Sequence, residues 1–287
     1  MFTIIIPVAK EGQGLYGRIQ MLNDTLTSAS INGFEIMLVT DFAHSPTIDA
    51  MKKIAKQGLA NCFLLTKRIG KGGSIKNVLP YAKGDAIVLL DADMPIDART
   101  LYKALATATR ERLDLLIANR VYRAHGLLRR VLSTSYNSVC RLLFRTGLKD
   151  HQAGFKVLSR RAASILASLV RTDGLLYDTE LIVWAKKFKL RRQAMNVVWK
   201  EEERESTIMP LRALLTMLTD MFLLRLLIAG IKYVALQRLN VGEIIDLASM
   251  RTVGKEYITV IRASGLKKQI LNMLRRLYIT VAFRGKQ

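Results

Sequence analysis

Short apolar runs alternate with stretches of helical periodicity along the first part of the chain. The apolar runs are rich in β-branched residues, which is typical of buried strands, and they cover 3–8, 34–39, 61–65, 86–90 and 113–118. Between them, apolar positions recur at helical spacing over 16–29, 47–57, 70–81 and 101–112. Strands that alternate with helices predict an α/β fold with a mostly parallel, doubly wound sheet and right-handed crossovers.

The pattern is less regular in the next part of the chain. We predict helices and a strand, in the order helix 127–143, helix 177–188 and strand 195–199. Asp178 or Thr179 is a plausible N-terminal cap for the second helix. The segment 150–156 is polar and holds a glycine and an aromatic residue, and 201–207 is densely charged. We interpret both segments as loops.

Two carboxylates follow the most apolar of the strands. Asp91 and Asp93 come directly after 86–90, and an extended backbone would point both side chains to one side. The carboxyl end of a central strand is where an α/β sheet usually binds its ligand. Paired carboxylates there suit Mg²⁺ or Mn²⁺ bridged to phosphate oxygens. The alternative is a plain turn at the strand end, which Asp also favours.

A glycine cluster opens the helix predicted over 70–81. The cluster Gly70-Lys71-Gly72-Gly73 lacks the residues of a P-loop and the spacing of a dinucleotide-binding fingerprint. A glycine-rich helix start could still approach a diphosphate with its amide groups. A plain turn into the helix is the alternative, and the pattern favours neither.

The formal net charge of +22 predicts attraction to polyanions. Nucleic acid, an anionic membrane and phosphate-bearing substrates all fit that charge. The sequence carries no zinc-finger or RNP-like motif, so we expect no nucleic-acid partner. Cys62 and Cys140 lie far apart without ligand spacing, which argues against a disulfide scaffold or a zinc site.

The composition shifts after Pro210, and we divide the chain into 1–210 and 211–287. The second part is basic and apolar, and we expect it to be mostly helical and to lie at a membrane interface. Its apolar stretch 213–235 contains Asp220, Arg225 and Lys232, and a charge at the bilayer centre costs about 2.5–3.5 kcal/mol. A helix on the membrane surface or packed on the first domain is therefore preferred to a span. A second basic amphipathic helix is expected over 266–277.

Taken in order, the motifs of the first 210 residues resemble the family 2 glycosyltransferases with the GT-A fold. The resemblance is strongest to the polyprenyl-phosphate sugar synthases, such as dolichyl-phosphate mannose and glucose synthases. The matching pieces are the strand into Pro7 and Glu11, Gly70-Lys71-Gly72, Gly84-Asp85, Leu90-Asp91-Ala92-Asp93, Arg120, Asp150, Gly154-Phe155-Lys156, Tyr177-Asp178-Thr179-Glu180-Leu181, and Arg204 with Ser206.

The chain departs from the family pattern at several positions. The family usually has two acids after the second strand, and here only Asp41 is kept. Glu11 follows Lys10 where the family commonly has Asn, and Ala118-Asn119 replaces the common Gly-Ser. Pro95 stands where mannose-type members often place a third polar ligand. These changes leave open which nucleotide base the donor carries and which residues complete the coordination of the metal.

The resemblance implies a donor site and a metal site. The nucleotide sugar would be held by Pro7, Glu11, Asp41, Lys71, Asp91, Ala92 and Asp93. Within that set, Glu11 and Asp41 would touch the nucleoside. Asp91 and Asp93 would hold Mg²⁺ or Mn²⁺, with Asp93 as the principal ligand.

The resemblance also implies an acceptor site. Arg120, Arg130, Arg204 and Ser206 would hold an acceptor phosphate, although Arg129 fits the helix as well as Arg130 does. The remaining polar residues would shape the sugar or acceptor pocket, namely Asp150, Gln152, Asp178 and Glu180. The residues implied to take part in catalysis are Asp93, Arg120 and Arg204.

The implied activity is inverting, metal-dependent transfer of a hexose from a nucleotide sugar to a polyprenyl (dolichyl-type) phosphate. GDP-mannose is placed narrowly ahead of UDP-glucose, and the enzyme is expected at the cytoplasmic face of a membrane, peripheral or interfacial. One alternative is a family 2 transferase with a hydroxyl acceptor, for which Asp178 or Glu180 would be the base. Another is a non-catalytic scaffold that binds lipid or polyanions.

Overall fold

The computed structural model describes residues 1–29, 33–41, 45–94, 96–122, 127–174, 176–199, 218, 220–222, 224–225, 228 and 233–263. For 122, 127–132, 233–242 and 255–263 the description concerns the backbone.

A nine-stranded sheet runs through the molecule in the order β7-β5-β6-β4-β1-β2-β3-β8-β9. Its strands are β1 Phe2–Pro7, β2 Phe34–Thr40, β3 Asn61–Leu65, β4 Ala86–Leu89, β5 Leu115–Tyr122, β6 Lys156–Ser159, β7 Arg192–Val198, β8 Tyr233–Asp246 and β9 Arg251–Ala263. The first four strands form the expected parallel unit, with β1 between β2 and β4.

Helices cover both faces of the sheet. They are α1 Gly14–Ser28, α2 Ser45–Lys56, α3 Lys71–Val78 with a 3₁₀ turn Leu79–Tyr81, α4 Ala98–Arg110, α5 Leu127–Phe144, α6 Arg160–Leu169 and α7 Tyr177–Lys187. Ile4 and Ile6 pack with α1, α2 and α4 on one face, whereas Ile5 packs with α3, α6 and α7 on the other. Because successive strand residues point to opposite faces, a strand between two helical layers is apolar throughout.

The expected mostly parallel sheet is corrected to a mixed one. Strand β6 lies antiparallel between β4 and β5, and β8 and β9 are antiparallel as well. Strand β6 is not predictable from the pattern, because it has four residues and begins with a charged lysine that ends the segment interpreted as a loop. Helix α6, which follows β6 at once, is likewise absent from the predicted elements.

The expectation of a mostly helical C-terminal region is wrong for 233–263. These residues form a β-hairpin whose first strand, β8, pairs antiparallel with the edge strand β3. The hairpin strands are rich in β-branched residues, and they cover the N–H and C=O groups that β3 would otherwise leave unpaired at the sheet edge. The basic helix expected over 266–277 lies outside the described residues.

The described positions between 218 and 228 are helical, and several of them pack against α5 and α7. Met221 and Leu224 are buried against Tyr136 and Cys140 of α5 and Val183 of α7. This arrangement matches one of the two placements expected for the apolar stretch, the helix packed on the first domain. In the part of the chain that the structure describes, no helix combines the length and apolarity needed to cross a bilayer.

Candidate active site

A cavity of about 370 Å³ opens at the carboxyl ends of β1, β2 and β4. It lies where the chain, after running from β1 outward to β3, crosses back to the other side of β1, which is the usual place for a ligand in an α/β sheet. Its walls are formed by Pro7, Val8, Ala9, Glu11, Val39, Asp41, Lys71, Ser74, Asp91, Ala92 and Asp93. Every residue expected to hold the donor is among them.

The two carboxylates reach the cavity by a route other than the expected one. Strand β4 ends at Leu89, and the backbone turns at 92–93 instead of staying extended. The N–H of Met94 donates to the carbonyl of Asp91 at 3.0 Å, and Met94 has φ +49°. The turn therefore brings Asp91 and Asp93 to the same cavity without the period-two geometry of a strand.

Lys71 connects the cavity to a buried pair of charges. Its Nζ lies 2.8 Å from Asp91 Oδ1 and 2.9 Å from Asp178 Oδ2. The other oxygen of Asp178 lies 2.6 Å from the Nζ of Lys156, whose side chain is fully buried. Burial alone would raise the pKa of Asp178, but the ammonium groups of Lys156 and Lys71 outweigh burial and lower it. Asp178 is therefore an ionised partner of two lysines.

Asp178 is not the cap of α7. The N-cap position is Leu176, which makes no side-chain capping hydrogen bond, and Asp178 lies inside the first turn. Asp178 is 6% exposed and is not part of the cavity wall. The ion pairs with Lys71 and Lys156 account for the acid at this position.

The glycine cluster serves close packing. The N–H groups of Gly72 and Gly73 donate to the carbonyl of Asp173 at 2.9 and 3.2 Å, and a Cβ on Gly72 would overlap the ring of Tyr177. These two amides are thus engaged within the protein rather than directed at a diphosphate. Asp41 supports the same segment, since its Oδ2 accepts hydrogen bonds from the N–H groups of Ile69 and Gly70.

Arg120 and Asp150 form a bidentate salt bridge. Arg120 Nε lies 2.6 Å from Asp150 Oδ2 and its Nη2 lies 2.9 Å from Asp150 Oδ1. Asp150 is 2% exposed, and the Arg120 guanidinium lies 5.2 Å from the centre of the Trp199 ring. The backbone N–H of Gln152 also donates to Asp150, at 3.2 Å. The arginine expected at an acceptor phosphate and the acid expected in a sugar pocket are therefore bound to each other.

Glu180 and His151 are buried and hold neighbouring segments in place. Glu180 Oε2 accepts from the N–H and hydroxyl of Thr172 at 2.7 and 2.5 Å, and Oε1 accepts from Trp184 Nε1 at 2.9 Å. This structural role differs from the expected place of Glu180 in a sugar or acceptor pocket.

The ring of His151 contacts Thr146 and Asn137 at 2.6 and 3.0 Å, and burial lowers its pKa to about 4.

Three residues expected at the acceptor phosphate are not described at the level of their side chains. Arg204 and Ser206 lie outside the described residues, and Arg130 is described as part of α5 by its backbone alone. Their assignment to the acceptor stays a prediction.

Asp91 and Asp93 fit a metal ion whose coordination would be completed by substrate. Among the described residues, no group of three or more His, Cys, Asp and Glu side chains is arranged to hold a metal. Mg²⁺ is commonly held by one or two carboxylates together with phosphate oxygens and water. Gly154 packs directly against Asp91, because a Cβ at position 154 would overlap the Asp91 carboxylate. The donor set therefore suits Mg²⁺ or Mn²⁺ bound together with a diphosphate.

The sequence does not single out Gly154 and Lys156 as candidate site residues. Both belong to a motif that carries the family resemblance, but the resemblance gives neither a role. The usable signal was a lysine directly before the apolar residues Val157 and Leu158, since a charge in a buried strand requires a partner. The sequence does not identify that partner, which is Asp178.

The chain is similar to known glycosyltransferases. It is 27% identical over 208 residues to glycosyltransferase AglD of Haloferax volcanii, covering 69% of this chain and 33% of AglD. It is 29% identical over 212 residues to the dolichyl-phosphate beta-glucosyltransferase of Homo sapiens, covering 67% of this chain and 64% of that enzyme. The matched part thus spans about a third of AglD and just under two thirds of the human protein.

Solved structures share the fold. Glucosyl-3-phosphoglycerate synthase from Mycobacterium tuberculosis, in complex with Mn²⁺, UDP and glucosyl-3-phosphoglycerate, matches with a TM-score of 0.61 at 17% identity, covering 94% of this chain and 91% of that one. Mannosyltransferase PcManGT from Pyrobaculum calidifontis, in complex with GDP-Man and Mn²⁺, matches with a TM-score of 0.54 at 17% identity, covering 79% and 63%. At these identities the likeness concerns the fold, which is GT-A-like with a mixed central sheet. The sequence model of the family described as Glycosyl transferase family 2 matches residues 3–166, more than half of the 287, so this chain belongs to that family.

Proposed function

We propose that this chain transfers a hexose from a nucleotide sugar to a polyprenyl (dolichyl-type) phosphate, with inversion at the sugar. The observation that carries the proposal is the cavity at the carboxyl ends of β1, β2 and β4, where Glu11, Asp41, Lys71, Asp91 and Asp93 meet. A carboxylate pair beside a lysine is suited to a diphosphate with its cation. The lipid acceptor is supported by the name of the human relative, a dolichyl-phosphate beta-glucosyltransferase.

We place UDP-glucose ahead of GDP-mannose as the donor. Relatives from Homo sapiens, Mus musculus and Drosophila melanogaster are all named dolichyl-phosphate beta-glucosyltransferase. The sequence motifs alone place GDP-mannose narrowly ahead of UDP-glucose, so the names of the relatives reverse the order of the two donors. GDP-mannose stays the second candidate, because a structural neighbour of similar fold was solved with GDP-Man.

The chemistry requires no general base. A phosphate monoester has a second pKa near ~6, so the acceptor oxygen is already ionised at neutral pH. That oxygen attacks the anomeric carbon and forms the new C–O bond. The bond from that carbon to the diphosphate oxygen breaks, and the nucleoside diphosphate leaves with the electron pair. Single displacement from the opposite face inverts the configuration.

The residues of the cavity would bind and orient the donor. Glu11 and Asp41 would contact the nucleoside, and Lys71 would pair with the diphosphate as its negative charge grows. Asp91 and Asp93 would hold the divalent cation, which supplies charge neutralisation of the leaving diphosphate when it is bound. For the acceptor phosphate, Arg120, Arg130, Arg204 and Ser206 remain the candidates, and Arg120 would have to serve it while paired with Asp150.

The two acids considered as bases for a hydroxyl acceptor are poorly suited to that task. Asp178 is bonded to two lysines that lower its pKa, which makes it a weaker base. Glu180 is 1% exposed, and its oxygens accept hydrogen bonds from Thr172 and Trp184. Both observations favour an acceptor that arrives ionised, as a lipid phosphate does.

We also propose that the enzyme works at the cytoplasmic face of a membrane, peripheral or interfacial. A polyprenyl acceptor is retained in the bilayer, so its phosphate must be met at the surface. The net charge of +22 attracts a protein to an anionic leaflet. Phe222, on the helix packed against α5 and α7, is 49% exposed and is available to an apolar surface.

A donor panel tests the proposal. UDP-glucose, GDP-mannose and other UDP- or GDP-sugars, labelled in the sugar, are incubated with a polyprenyl phosphate and Mg²⁺ or Mn²⁺, and labelled lipid is extracted. We expect one donor to label the lipid, and chelation of the metal to prevent labelling. Transfer to a hydroxyl acceptor without any lipid phosphate would contradict the proposal.

A pair of variants assigns the chemistry to the cavity. Asp93→Asn should abolish transfer, because it removes a carboxylate from the proposed cation site. Asp85→Asn is the control, since Asp85 is exposed at the other end of β4 and pairs with the N-terminus at 3.3 Å. Equal activity of the two variants would refute the role given to Asp93.

A further inference from the structure

Four side chains of alternating charge form a continuous row that ends in the candidate site. The row runs from Lys156 to Asp178 at 2.6 Å, from Asp178 to Lys71 at 2.9 Å, and from Lys71 to Asp91 at 2.8 Å. Burial decreases along it, from a fully buried Lys156 to an Asp91 side chain that is 32% exposed. The row therefore starts in the core and ends on a carboxylate that lines the cavity.

Lys71 and a divalent cation cannot both use Asp91 without repulsion. The ammonium group occupies Asp91 Oδ1, and a cation on the same carboxylate would lie within the roughly 4–6 Å range over which like charges disfavour one another. A donor diphosphate removes this conflict, because it offers Lys71 other oxygens in the cavity that Lys71 also lines.

We propose that the Lys71 ammonium group pairs with Asp91 as long as no donor is bound. When the donor diphosphate binds, Lys71 pairs with it instead, and the metal ion then gains full access to Asp91. Metal and nucleotide then bind with positive coupling, and the coupling is reciprocal. This inference rests on the proposed function, since it assumes that the cavity receives a nucleoside diphosphate with its metal.

The other contacts in the row explain how Lys71 can exchange Asp91 for the diphosphate while it stays next to Asp178. Asp178 is bonded to Lys156, whose Nζ also donates to the carbonyl of Ala153. Lys71 is the first residue of α3, and that end of the helix is bonded to Asp173 through Gly72 and Gly73. These contacts hold Asp178 and the start of α3 in place, so a change of partner requires motion only at the end of the Lys71 side chain.

Manganese binding without turnover tests the inference. Free Mn²⁺ is measured by electron paramagnetic resonance during titration of the full chain, first with Mn²⁺ alone and then with UDP or GDP present. In wild type, we expect weak Mn²⁺ binding without nucleotide and a strong increase with it. In Lys71→Met, nucleotide-free Mn²⁺ affinity should rise about tenfold, and the enhancement by nucleotide should shrink by a similar factor.

Three further variants make the comparison specific. Lys71→Gln should behave as Lys71→Met does, whereas Lys71→Arg keeps the charge and should retain the low nucleotide-free affinity of wild type. Lys76→Met is the matched control, since Lys76 lies on the same helix but pairs with Asp173 at 2.5 Å. It should leave Mn²⁺ affinity unchanged, and circular dichroism establishes that each variant is folded.

The outcomes separate this inference from the proposed function. Nucleotide-enhanced Mn²⁺ binding in wild type, together with unchanged nucleotide-free affinity in Lys71→Met and Lys71→Gln, would overturn the inference and leave the proposed function standing. Absence of Mn²⁺ binding to wild type even with UDP or GDP would overturn both.

Discussion

Gly154 lies directly against the carboxylate of Asp91, so that a Cβ at position 154 would overlap the Asp91 oxygens. Gly154 comes just before β6, and Asp91 comes just after β4. These two strands are antiparallel neighbours, with Leu89 opposite Lys156. The antiparallel insertion of β6 therefore sets the position of an acid in the candidate site.

We predict that Gly154→Ala displaces Asp91 and disables the site. Overpacking at a buried position costs typically about 1–3 kcal/mol, and displacement of a reactive group by about 1 Å can lower a rate roughly 100-fold. Urea unfolding and the lipid-labelling assay measure the two effects. Gly17→Ala is the control: position 17 lies in α1 with nothing near its Cβ, so stability should rise by about 0.5–1 kcal/mol with activity unchanged. Full activity in Gly154→Ala would refute the prediction.

We predict that Arg120→Ala is strongly destabilising. It leaves Asp150, which is 2% exposed, without the guanidinium that bonds to both of its oxygens. Breaking a buried pair by removing one partner typically costs about 3–5 kcal/mol. Arg110→Ala is the matched control, because Arg110 pairs with Glu111 at the surface and such pairs contribute at most about 1 kcal/mol. Chemical unfolding of both variants measures the difference, and equal losses would contradict the buried role of Arg120.

We predict a loss of stability in mild acid that depends on His151. Burial lowers its pKa from 6.5 to about 4, so the folded protein holds a neutral ring where the unfolded chain is protonated. The stabilisation is fully present above pH 6.5 and is lost as pH falls toward 4, by about 2 kcal/mol between neutral pH and about pH 5. His151→Gln should be less stable at neutral pH but show a smaller fall on acidification. The same fall in both proteins, measured by urea unfolding, would exclude His151 as the source.

We predict that Asp220→Asn stabilises the protein above neutral pH. Burial, with a further contribution from the negative charge of Glu180, raises the pKa of Asp220 from 3.8 to about 6. The folded state therefore favours the protonated acid, and stability falls as pH rises from 3.8 through 6. The variant removes this penalty, with a gain of about 3 kcal/mol at about pH 8 that falls below about 1 kcal/mol near about pH 4. A gain that is independent of pH would contradict the prediction.

The sequence alone was sufficient for the first four strands and the helices between them. Each of these strands lies between two helical layers, so burial on both faces is recorded locally as an uninterrupted apolar run. The placement of Asp91 and Asp93 beside a ligand cavity was also predictable, because the carboxyl ends of parallel strands meet at the same edge.

The tertiary structure alone decided the antiparallel β6, the β8–β9 hairpin and the partners of the charged residues. Strand β6 is too short to leave a periodic signal, and the hairpin pairs with the edge of β3, which lies far away in sequence. Lys71, Lys156 and Asp178 are separated along the chain, as are Arg120 and Asp150. Local periodicity records which face of an element is buried, whereas the partner of a charge depends on which elements the fold places side by side.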